Sequence, residues 1–422
     1  MNRVVIVGAG FGGIAAAKRL AAAPVEITLI DRQNHHLFQP LLYQVATAGL
    51  SPADIAWPVR QLVRSQRNTR VLMGEVTSVD TVRKVVMIGD GPIAYDWLVL
   101  ATGATHGYFG HDEWAVHAPG LKDLEDAIGI RRRLLLAFER AEMATSPELC
   151  ARLLTIAIIG GGPTGVEMAG AVAELARRAL ATDFREIDPK QTRVLLLEAG
   201  PRLLPGFPEE LSSYTERALQ RLGVEVRLGK SVTHCSAAGI ELDDESIDAG
   251  TIVWAAGVRA SPAARWLGVT GDRAGRVAVG SDLKAPGHDD IYVIGDTAQL
   301  RDASGEQVPG IAPAAKQQGA YVGKAIEARI RGVKAPPPFT YGDRGLLATI
   351  GRSAAVISYK RFRLNGRFAW WLWGAAHIYF LVSMRNRVIV VTQWLWSYLV
   401  FERGARLITG IKLQRRPLPP SG

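Results

Sequence analysis

The stretch Arg3-Val-Val-Ile-Val-Gly8-Ala-Gly10-Phe-Gly-Gly13 decides the fold of this 422-residue chain. Its apolar run predicts a buried strand, its glycines a tight turn, and the alanine-rich segment after it a helix to about Ala23. A second strand, Val25 to Ile30, ends in Asp31, 23 residues after Gly8. A strand, glycine turn, helix and acid in this order indicate the start of a Rossmann unit.

Each glycine of this turn has a physical role. Gly8 allows the tight turn, Gly10 lets the backbone approach a pyrophosphate, and Gly13 lets the helix pack closely on the strand. The helix N-terminus adds free N–H groups for the anion. Asp31 can accept hydrogen bonds from ribose hydroxyls. A simple glycine turn is the alternative, but the surrounding strand, helix and acid favour a dinucleotide site.

The same pattern returns in a second glycine-rich segment. Leu154 to Ile159 predicts a strand, Gly160-Gly161-Gly162-Pro163-Thr164-Gly165 a turn, and Val166 to about Leu180 a helix. The next strand, Val194 to Leu197, ends in Glu198, 38 residues after the first glycine of the turn. Gly160, Gly162 and Gly165 therefore predict a second dinucleotide site.

Glu198 indicates which dinucleotide the second unit prefers. An acid at this strand end binds a free ribose and disfavours a 2′-phosphate, so NADH is predicted over NADPH. Arg202, four residues later, leaves NADPH open as the alternative, because an arginine there could accommodate its 2′-phosphate.

A late strand with a glycine end follows each turn. Asp96-Trp-Leu-Val-Leu-Ala-Thr102-Gly103 ends 95 residues after Gly8, and Thr251-Ile-Val-Trp-Ala-Ala-Gly257 ends 97 residues after Gly160. A third such segment, Ile291-Tyr-Val-Ile-Gly295-Asp296, follows the second unit. It predicts that the chain returns to the first unit.

The predicted architecture is α/β, with two Rossmann-type domains and a C-terminal region. A chain of 422 residues, 48% of them hydrophobic, is too long for one core. The first domain is expected to be discontinuous, over 1–149 and 281–334, and the second to cover 150–280. The connector Ala335-Pro-Pro-Pro338 leads into a third region, 335–422.

Charge and tryptophan concentrate in the C-terminal region. Residues 331–422 hold 15 Lys plus Arg against two acidic residues, and five of the ten tryptophans. Two apolar runs, Phe368 to Val382 and Val388 to Val400, are shorter than the roughly 20 residues that span a bilayer. They predict a monotopic, amphipathic region on anionic lipid, with a buried helix pair or a dimer interface as the alternative. The arginines that favour lipid are Arg361, Arg363, Arg367, Arg403, Arg406, Arg415 and Arg416.

Cysteine and histidine patterns exclude several chemistries. Cys150 and Cys235 are far apart and no Cys-x-x-Cys occurs, which argues against a disulfide scaffold, a zinc ribbon and a dithiol enzyme. His35 and His36 are adjacent without a cysteine or acidic partner at ligand spacing, so no metal is predicted. No secretory signal is expected, because Met1 leads directly into a strand pattern. A nucleic-acid partner is not expected either.

Two further residues are candidates for chemistry. Glu167 lies two residues after Gly165, in the first turn of the second helix. It either interacts with the positive helix end or handles a proton near nicotinamide and flavin. The segment Pro309 to Gly319 runs into another helix whose N-terminus could face a reduced flavin; Gln317 and its neighbour Gln318 could equally lie on the surface.

These motifs together resemble one family, the type II NADH dehydrogenases, which are single-subunit NADH:quinone oxidoreductases of respiratory membranes. The resemblance covers nearly the whole chain. Its most specific parts are His35-His-Leu-Phe-Gln-Pro-Leu-Leu-Tyr-Gln-Val-Ala46, the segment Gly160 to Glu167, the segment Ala312 to Gly319, and the tryptophan-rich tail around His377 and Arg385-Asn-Arg387.

The resemblance implies an electron-transport enzyme without proton pumping, usually a homodimer on the cytoplasmic face of the cell membrane. It implies FAD in the first domain, on Gly8, Gly10, Gly13, Asp31, Thr102, Gly103 and Asp296. It implies NADH in the second, on Gly160, Gly162, Gly165, Glu198 and Gly257. Glu167 and Gln317 would lie by the flavin at the pocket for a membrane quinone. One departure is Pro313, where many relatives have glutamine.

Two other interpretations are considered. A sulfide:quinone oxidoreductase-like flavoprotein would need cysteines beside the flavin, whereas Cys150 and Cys235 fall near or within the second domain. A non-enzymatic, membrane-associated nucleotide sensor would keep both Rossmann domains without the chemistry.

Overall fold

The computed structural model describes residues 1–89, 91–381, 384–400 and 405–410, without the side chains of 397–400. Arg403, Arg415 and Arg416, which the sequence predicted to lie beside lipid, are outside the described residues.

The first part of the chain builds a parallel sheet with helices and two small antiparallel additions. Its elements are β1 (Asn2–Val7), α1 (Phe11–Arg19), β2 (Val25–Asp31), β3 (His35–Leu37), α2 (Leu42–Ala46), α3 (Pro52–Ile55), β4 (Ala56–Pro58), α4 (Val59–Leu62), β5 (Thr69–Met73), β6 (Val76–Asp80), β7 (Val85–Ile88), β8 (Gly91–Ala94), β9 (Trp97–Leu100), β10 (Ala104–His106) and α5 (Leu124–Glu142).

The middle part repeats the pattern and then returns. Its elements are α6 (Pro147–Leu153), β11 (Thr155–Ile159), α7 (Pro163–Glu174), β12 (Arg193–Glu198), α8 (Glu209–Arg221), β13 (Val224–Leu228), β14 (Val232–Cys235), β15 (Gly239–Leu242), β16 (Ser246–Asp248), β17 (Thr251–Trp254), β18 (Val258–Ala260), α9 (Ala263–Trp266), β19 (Val277–Val279), β20 (Ile291–Val293), β21 (Ala298–Leu300) and α10 (Ala312–Ile330). The helix predicted to continue to Leu180 changes after Glu174 into a π-helical turn, Leu175–Ala179.

The C-terminal part is a three-stranded hairpin sheet followed by two helices. Its elements are β22 (Leu346–Ile350), β23 (Ala354–Tyr359), β24 (Phe362–Asn365), α11 (Gly366–Phe380) and α12 (Met384–Val400). The two helices match the two apolar runs of the sequence. Arg387 ends α11, because its guanidinium donates to the carbonyls of Tyr379 at 2.7 Å and Leu381 at 3.0 Å. Within the described ranges, no helix is long and apolar enough to cross a membrane.

Two parallel sheets organise the molecule. The first has the strand order β20-β9-β1-β2-β5 and the second the order β13-β12-β11-β17. β20 pairs with β9, so the chain does return to the first sheet after completing the second. β10 pairs with β18 and thereby joins the two units. Buried Val and Ile fill β1, and buried Ile, Ala and Thr fill β11, as expected of parallel strands covered on both faces.

The return to the first sheet begins before β20. Ala263, Leu267 and Val277 pack in one buried cluster with Val5 and Leu98 of the first sheet. The division at 149/150 and 280/281 stays a prediction.

The hairpin β22–β23 and helix α11 extend the core of the second unit. Ile350, Val356 and Trp373 lie in the same buried cluster as Ala169 and Val172 of α7. Trp373 is only 1% exposed. The C-terminal region is therefore packed into the body on one side.

Candidate active site

The first glycine turn is closed on two sides and open on the third. Gly8 has φ +104°, and a side chain there would lie 2.2 Å from the carbonyl oxygen of Ala101. A side chain at Gly13 would lie 1.8 Å from the oxygen of Gly8, whereas one at Gly10 would meet nothing within 4 Å. The open space lies at the N-terminus of α1, where free N–H groups attract a pyrophosphate. The cradle thus fits a dinucleotide.

Asp31 stands at the end of β2 beside this cradle. Its carboxylate accepts hydrogen bonds from the backbone N–H of Ala9 at 2.6 Å and of Gln33 at 2.7 Å. Burial raises the pKa of Asp31, and these two N–H donors oppose that rise. The carboxylate is held in a fixed orientation, as a group that reads ribose hydroxyls requires.

Thr102, Gly103 and Asp296 follow the two neighbouring strands β9 and β20. The hydroxyl of Thr102 is hydrogen-bonded to those of Ser261 and Thr297, and Thr297 donates to the carbonyl of Gly103 at 2.7 Å. Asp296 accepts from Lys122 Nζ at 3.2 Å. The carboxyl ends of both strands meet at the edge of the sheet that carries Gly8, which is where such folds bind ligands.

The second turn repeats the first closely. Gly160 has φ +111°, and a side chain there would lie 2.6 Å from the backbone of Ala255. A side chain at Gly165 would lie 1.8 Å from the oxygen of Gly160, whereas one at Gly162 would meet nothing within 4 Å. Gly257 is packed closely as well, because a side chain on it would lie 2.8 Å from the ring of Phe109. The second cradle also fits a dinucleotide.

Glu198 occupies the position in the second unit that Asp31 occupies in the first. Its two oxygens accept from the N–H of Gly161 at 2.6 Å and of Gly200 at 2.7 Å. Arg202, which could have accommodated a phosphate, donates to the carbonyls of Phe207 and Pro205, both at 2.7 Å. Its guanidinium holds the loop that leads into α8.

Glu167 lies partly buried on the first turns of α7. Its Oε1 accepts from the backbone N–H of Thr349, on β22, at 3.3 Å. Loss of hydration raises the pKa of Glu167 to about 8, and the Thr349 N–H partly opposes this. A carboxyl with this pKa is protonated near neutral pH and can exchange a proton there.

The two glutamines of α10 have different surroundings. Gln317 pairs with Gly342, donating to its carbonyl and accepting from its N–H, both at 2.9 Å. Gln318 is 3% exposed, and its Oε1 accepts from the N–H of Gly295 at 2.6 Å. Sequence reasoning left Gln318 as a possible surface residue, yet it fixes the start of α10 against the turn after β20.

An aromatic wall joins α1, the loop after β3 and α11. The ring of Phe11 packs edge-on against Phe38, which in turn packs edge-on against His377. His377 Nδ1 is hydrogen-bonded to the carbonyl of Trp373 at 2.8 Å, and burial lowers its pKa to about 4. At the end of α11, the ring of Phe380 lies 5.9 Å from the ammonium of Lys316, which is on α10. At Phe11, Phe38 and His377 the wall therefore presents neutral, largely apolar surfaces, whereas Lys316 brings a positive charge to Phe380.

The two cysteines are free thiols in separate elements. Cys150 is partly buried on α6, and Cys235 is buried on β14 among apolar residues of the second unit. Burial raises the pKa of Cys235 to about 11, which keeps it a thiol and a weak nucleophile. Within the described residues, no group of His, Cys, Asp and Glu could hold a metal ion.

Two family models match the chain. Residues 2–319 match the model described as pyridine nucleotide-disulphide oxidoreductase, and residues 344–403 match the NDH2 C-terminal domain. Together they cover both Rossmann units, the hairpin β22–β23 and the two C-terminal helices.

Similar proteins with a named activity assign the chain to a smaller family within this group. The type II NADH:quinone oxidoreductase Ndh of Mycobacterium tuberculosis is 43% identical over 97% of this chain and 90% of its own length. The type II NADH:quinone oxidoreductase of Staphylococcus haemolyticus is 32% identical over 85% of this chain and 90% of its own. The chain belongs to the pyridine nucleotide-disulphide oxidoreductases and, within them, to the type II NADH:quinone oxidoreductase family.

Solved structures show the same fold. NDH2 of Plasmodium falciparum, in complex with NADH, has a TM-score of 0.87 at 20% identity and covers 97% of this chain and 100% of that one. The sulfide:quinone oxidoreductase of Aquifex aeolicus has a TM-score of 0.71 at 20% identity, covering 92% of both chains. The predicted α/β fold with two Rossmann units is confirmed.

Proposed function

We propose that this protein is an NADH:quinone oxidoreductase that passes electrons from NADH through FAD to a membrane quinone, without pumping protons. The observation that carries the proposal is the pair of matching cradles, one of which is followed by Glu167, a carboxyl whose pKa is raised by burial to about 8. The net reaction converts NADH, one solvent proton and a quinone into NAD⁺ and a quinol. Bound FAD would accept the hydride and release two electrons.

The residues divide between the two dinucleotides. Gly8, Gly10 and Gly13, with Asp31, would hold FAD, supported by the open space at Gly10 and by the fixed carboxylate. Thr102, Gly103 and Asp296 would complete that site at the ends of β9 and β20. The NADH site would comprise the corresponding residues of the second unit, Gly160, Gly162, Gly165, Glu198 and Gly257.

Glu167 and Gln317 are proposed to act on the quinone side. Glu167, protonated at neutral pH, would donate a proton toward the quinone oxygen as electrons arrive. Gln317 is engaged with Gly342, so we propose that it positions the start of α10 near the site. Pro313 offers no side-chain donor, which leaves the polar contacts to other residues.

The aromatic wall is proposed as the surface against which the quinone ring lies. Phe11, Phe38 and His377 join the first turn of α1 to the end of α11. A flat, apolar ring packs well on aromatic faces. A neutral His377 would not oppose its entry.

We further propose that α11 and α12 rest on a lipid surface. Their outward side chains are large, apolar and exposed: Phe368 (65%), Trp371 (60%), Tyr379 (69%), Val388 (57%), Leu395 (58%) and Trp396 (59%). The opposite side of α11, with Ala369 and Trp373, is buried in the body. A helix with one face in the protein and one aromatic face outward suits the headgroup boundary, and the basic charge of this region suits anionic lipid.

A homodimer on the cytoplasmic face of the membrane is also proposed, following the family resemblance. Light scattering in detergent measures the mass of the particle directly. Protease protection in right-side-out and inverted vesicles distinguishes the two faces.

Spectroscopy tests the central proposal. The purified protein should be yellow, should bleach when NADH is added without oxygen, and should regain its colour when a short-chain quinone follows. A protein that binds both nucleotides without bleaching would be a sensor. Bleaching by sulfide, abolished in Cys150→Ser or Cys235→Ser, would support the sulfide-oxidising alternative.

A further inference from the structure

Phe109 is an aromatic residue that the fold leaves at the surface. It lies in the loop after β10, and its side chain is 74% exposed. Its backbone is left-handed, with φ +54°, a conformation that a bulky residue rarely adopts. Residues held in such conformations cluster at binding and active sites. An exposed ring on a strained backbone therefore indicates a functional contact rather than a contribution to the core.

The loop that carries this ring is fastened to the second unit. The N–H of Gly107 donates to the carbonyl of Gly257 at 3.2 Å. The indole of Trp254 donates to the carbonyl of Gly107 at 3.0 Å. At the end of the loop, Asp112 accepts from the guanidinium of Arg259 at 3.1 Å. These contacts hold the loop against the segment that ends β17 and begins β18.

The tip of the Phe109 ring is seated on Gly257. A side chain added to Gly257 would lie 2.8 Å from Cζ of Phe109, so only glycine allows this contact. The ring also packs against Trp254, with the two ring centroids 6.0 Å apart. The rest of the ring faces solvent. The fold thus fixes one edge of the ring and leaves most of its surface open to a ligand.

The strand order of the second sheet indicates which end of a dinucleotide would lie there. β11 stands between β12 and β17. In the proposed assignment, the glycine turn after β11 receives the pyrophosphate, and Glu198 at the end of β12 receives the adenosine ribose. The nicotinamide half then extends to the opposite side, toward the end of β17, where Gly257 follows the strand. β10 and β18 join the two units at this side of the sheet.

We propose that the exposed ring of Phe109 packs against the nicotinamide ring of bound NADH. The inference rests on the proposed function, in which NADH occupies the second glycine turn. The face of a phenylalanine ring suits a planar aromatic ring and also attracts the positive charge of the oxidised nicotinamide. Phe109 carries no titratable group, so it contributes to nucleotide affinity and not to the hydride transfer itself.

Calorimetric titration of the purified holoenzyme tests this contact without turnover. NAD⁺ is compared with ADP-ribose, which has the same pyrophosphate and adenosine but no nicotinamide ring. In Phe109→Ala we expect the Kd for NAD⁺ to rise about five- to tenfold and the Kd for ADP-ribose to stay at the wild-type value. Phe109→Tyr keeps the aromatic face and should restore the wild-type Kd for NAD⁺. In steady-state kinetics, Phe109→Ala should raise the KM for NADH and leave kcat unchanged.

A matched control and three contrary results complete the test. Phe362→Ala removes a phenylalanine of similar exposure, 71%, on β24 and should change neither Kd. An unchanged Kd for NAD⁺ in Phe109→Ala would overturn the inference. An equal rise of both Kd values would overturn it too, because the nicotinamide ring would then make no separate contact. A wild-type protein that binds neither NAD⁺ nor ADP-ribose would overturn the proposed function, and this inference with it.

Discussion

The two glycine turns of this chain are nearly the same structure, placed in different surroundings. Gly8 and Gly160 have φ of +104° and +111°, and a side chain at either third glycine would lie 1.8 Å from the first glycine's oxygen. Each adjacent acid accepts two backbone N–H bonds at 2.6 and 2.7 Å. A shared anion cradle therefore does not distinguish the two units.

The difference lies two residues after the third glycine. The first unit has Ala15 there, close to Gly319 of α10, and its helix is covered by another helix. The second unit has Glu167 there, bonded to Thr349 of the C-terminal hairpin. In the proposed assignment both units hold a nucleotide, and only the second has a titratable carboxyl, Glu167, at this position. The two units therefore differ in what packs on the helix rather than in the turn.

The largest effect is expected from filling the open space of each turn. Gly10→Ala adds a methyl group where no atom lies within 4 Å, so the fold should survive while the pyrophosphate is displaced. We expect Gly10→Ala to be purified colourless, and Gly162→Ala to be purified yellow with the KM for NADH raised at least about tenfold. Absorbance at purification and steady-state kinetics measure the two outcomes. Gly129→Ala, also in open space but on α5, is the control and should change neither.

A smaller effect is expected at the position where the units differ. Glu167→Gln should slow flavin reoxidation by quinone about a hundredfold and leave reduction by NADH unchanged, since hydride transfer needs no protein acid. Single-turnover stopped-flow measurements separate the two steps. If only the NADH step slows, Glu167 serves nicotinamide binding instead.

Sequence reasoning reached the cradles because their chemistry is local. Glycines at fixed offsets and an acid at a strand end follow from backbone geometry, and the similarity to the family confirms the fold they predicted. The roles of the individual site residues stay predictions. Nothing local predicted that Thr349 would bond to Glu167, because 182 residues separate them.

In the C-terminal region, too, the local sequence was not enough to predict how the helices pack. Its apolar runs were visible, but both buried and lipid-facing helices have such runs. Only the fold reveals that Ala369 and Trp373 face the core while Trp371 and Tyr379 face outward.

Next in size is the choice of nucleotide in the second unit. Glu198→Gln removes the charge that repels a 2′-phosphate but keeps an oxygen for the N–H of Gly161 or Gly200. We expect the ratio of kcat/KM for NADH over NADPH to fall about tenfold. Arg202→Gln should leave the ratio unchanged, because its guanidinium is bound to loop carbonyls. Equal use of both donors by the wild type would contradict the assignment of Glu198.

A more modest change is expected on the outward faces of the C-terminal helices. Removing the whole region would expose the core around Trp373, so point substitutions are the sharper test. Trp371→Ser with Leu395→Ser should weaken binding to anionic liposomes about three- to tenfold in a flotation assay, and ferricyanide reduction by NADH should persist. Val116→Ser removes an equally exposed apolar residue elsewhere and should not alter flotation. Undiminished flotation of the double variant would assign lipid contact to another surface.

The smallest effect is expected on thermal stability. It concerns the carboxyl that Glu167 has and that Ala15, at the corresponding position of the first unit, lacks. Folding raises the pKa of Glu167 from about 4.5 to about 8, so between these values the folded state binds the extra proton. The protonated carboxyl of Glu167 contributes fully to the stability of the folded state below about pH 4.5, and this contribution is lost as pH rises through about 8. Glu167→Gln does not titrate, so its thermal midpoint should match wild type near pH 5 and exceed it by a few degrees near pH 8.5. Calorimetry at both pH values measures the difference between the thermal midpoints. Glu139→Gln, which changes an exposed carboxylate on α5, is the control. If the thermal midpoints of Glu167→Gln and wild type differed by the same amount at both pH values, the Glu167 carboxyl would not be desolvated in the folded protein.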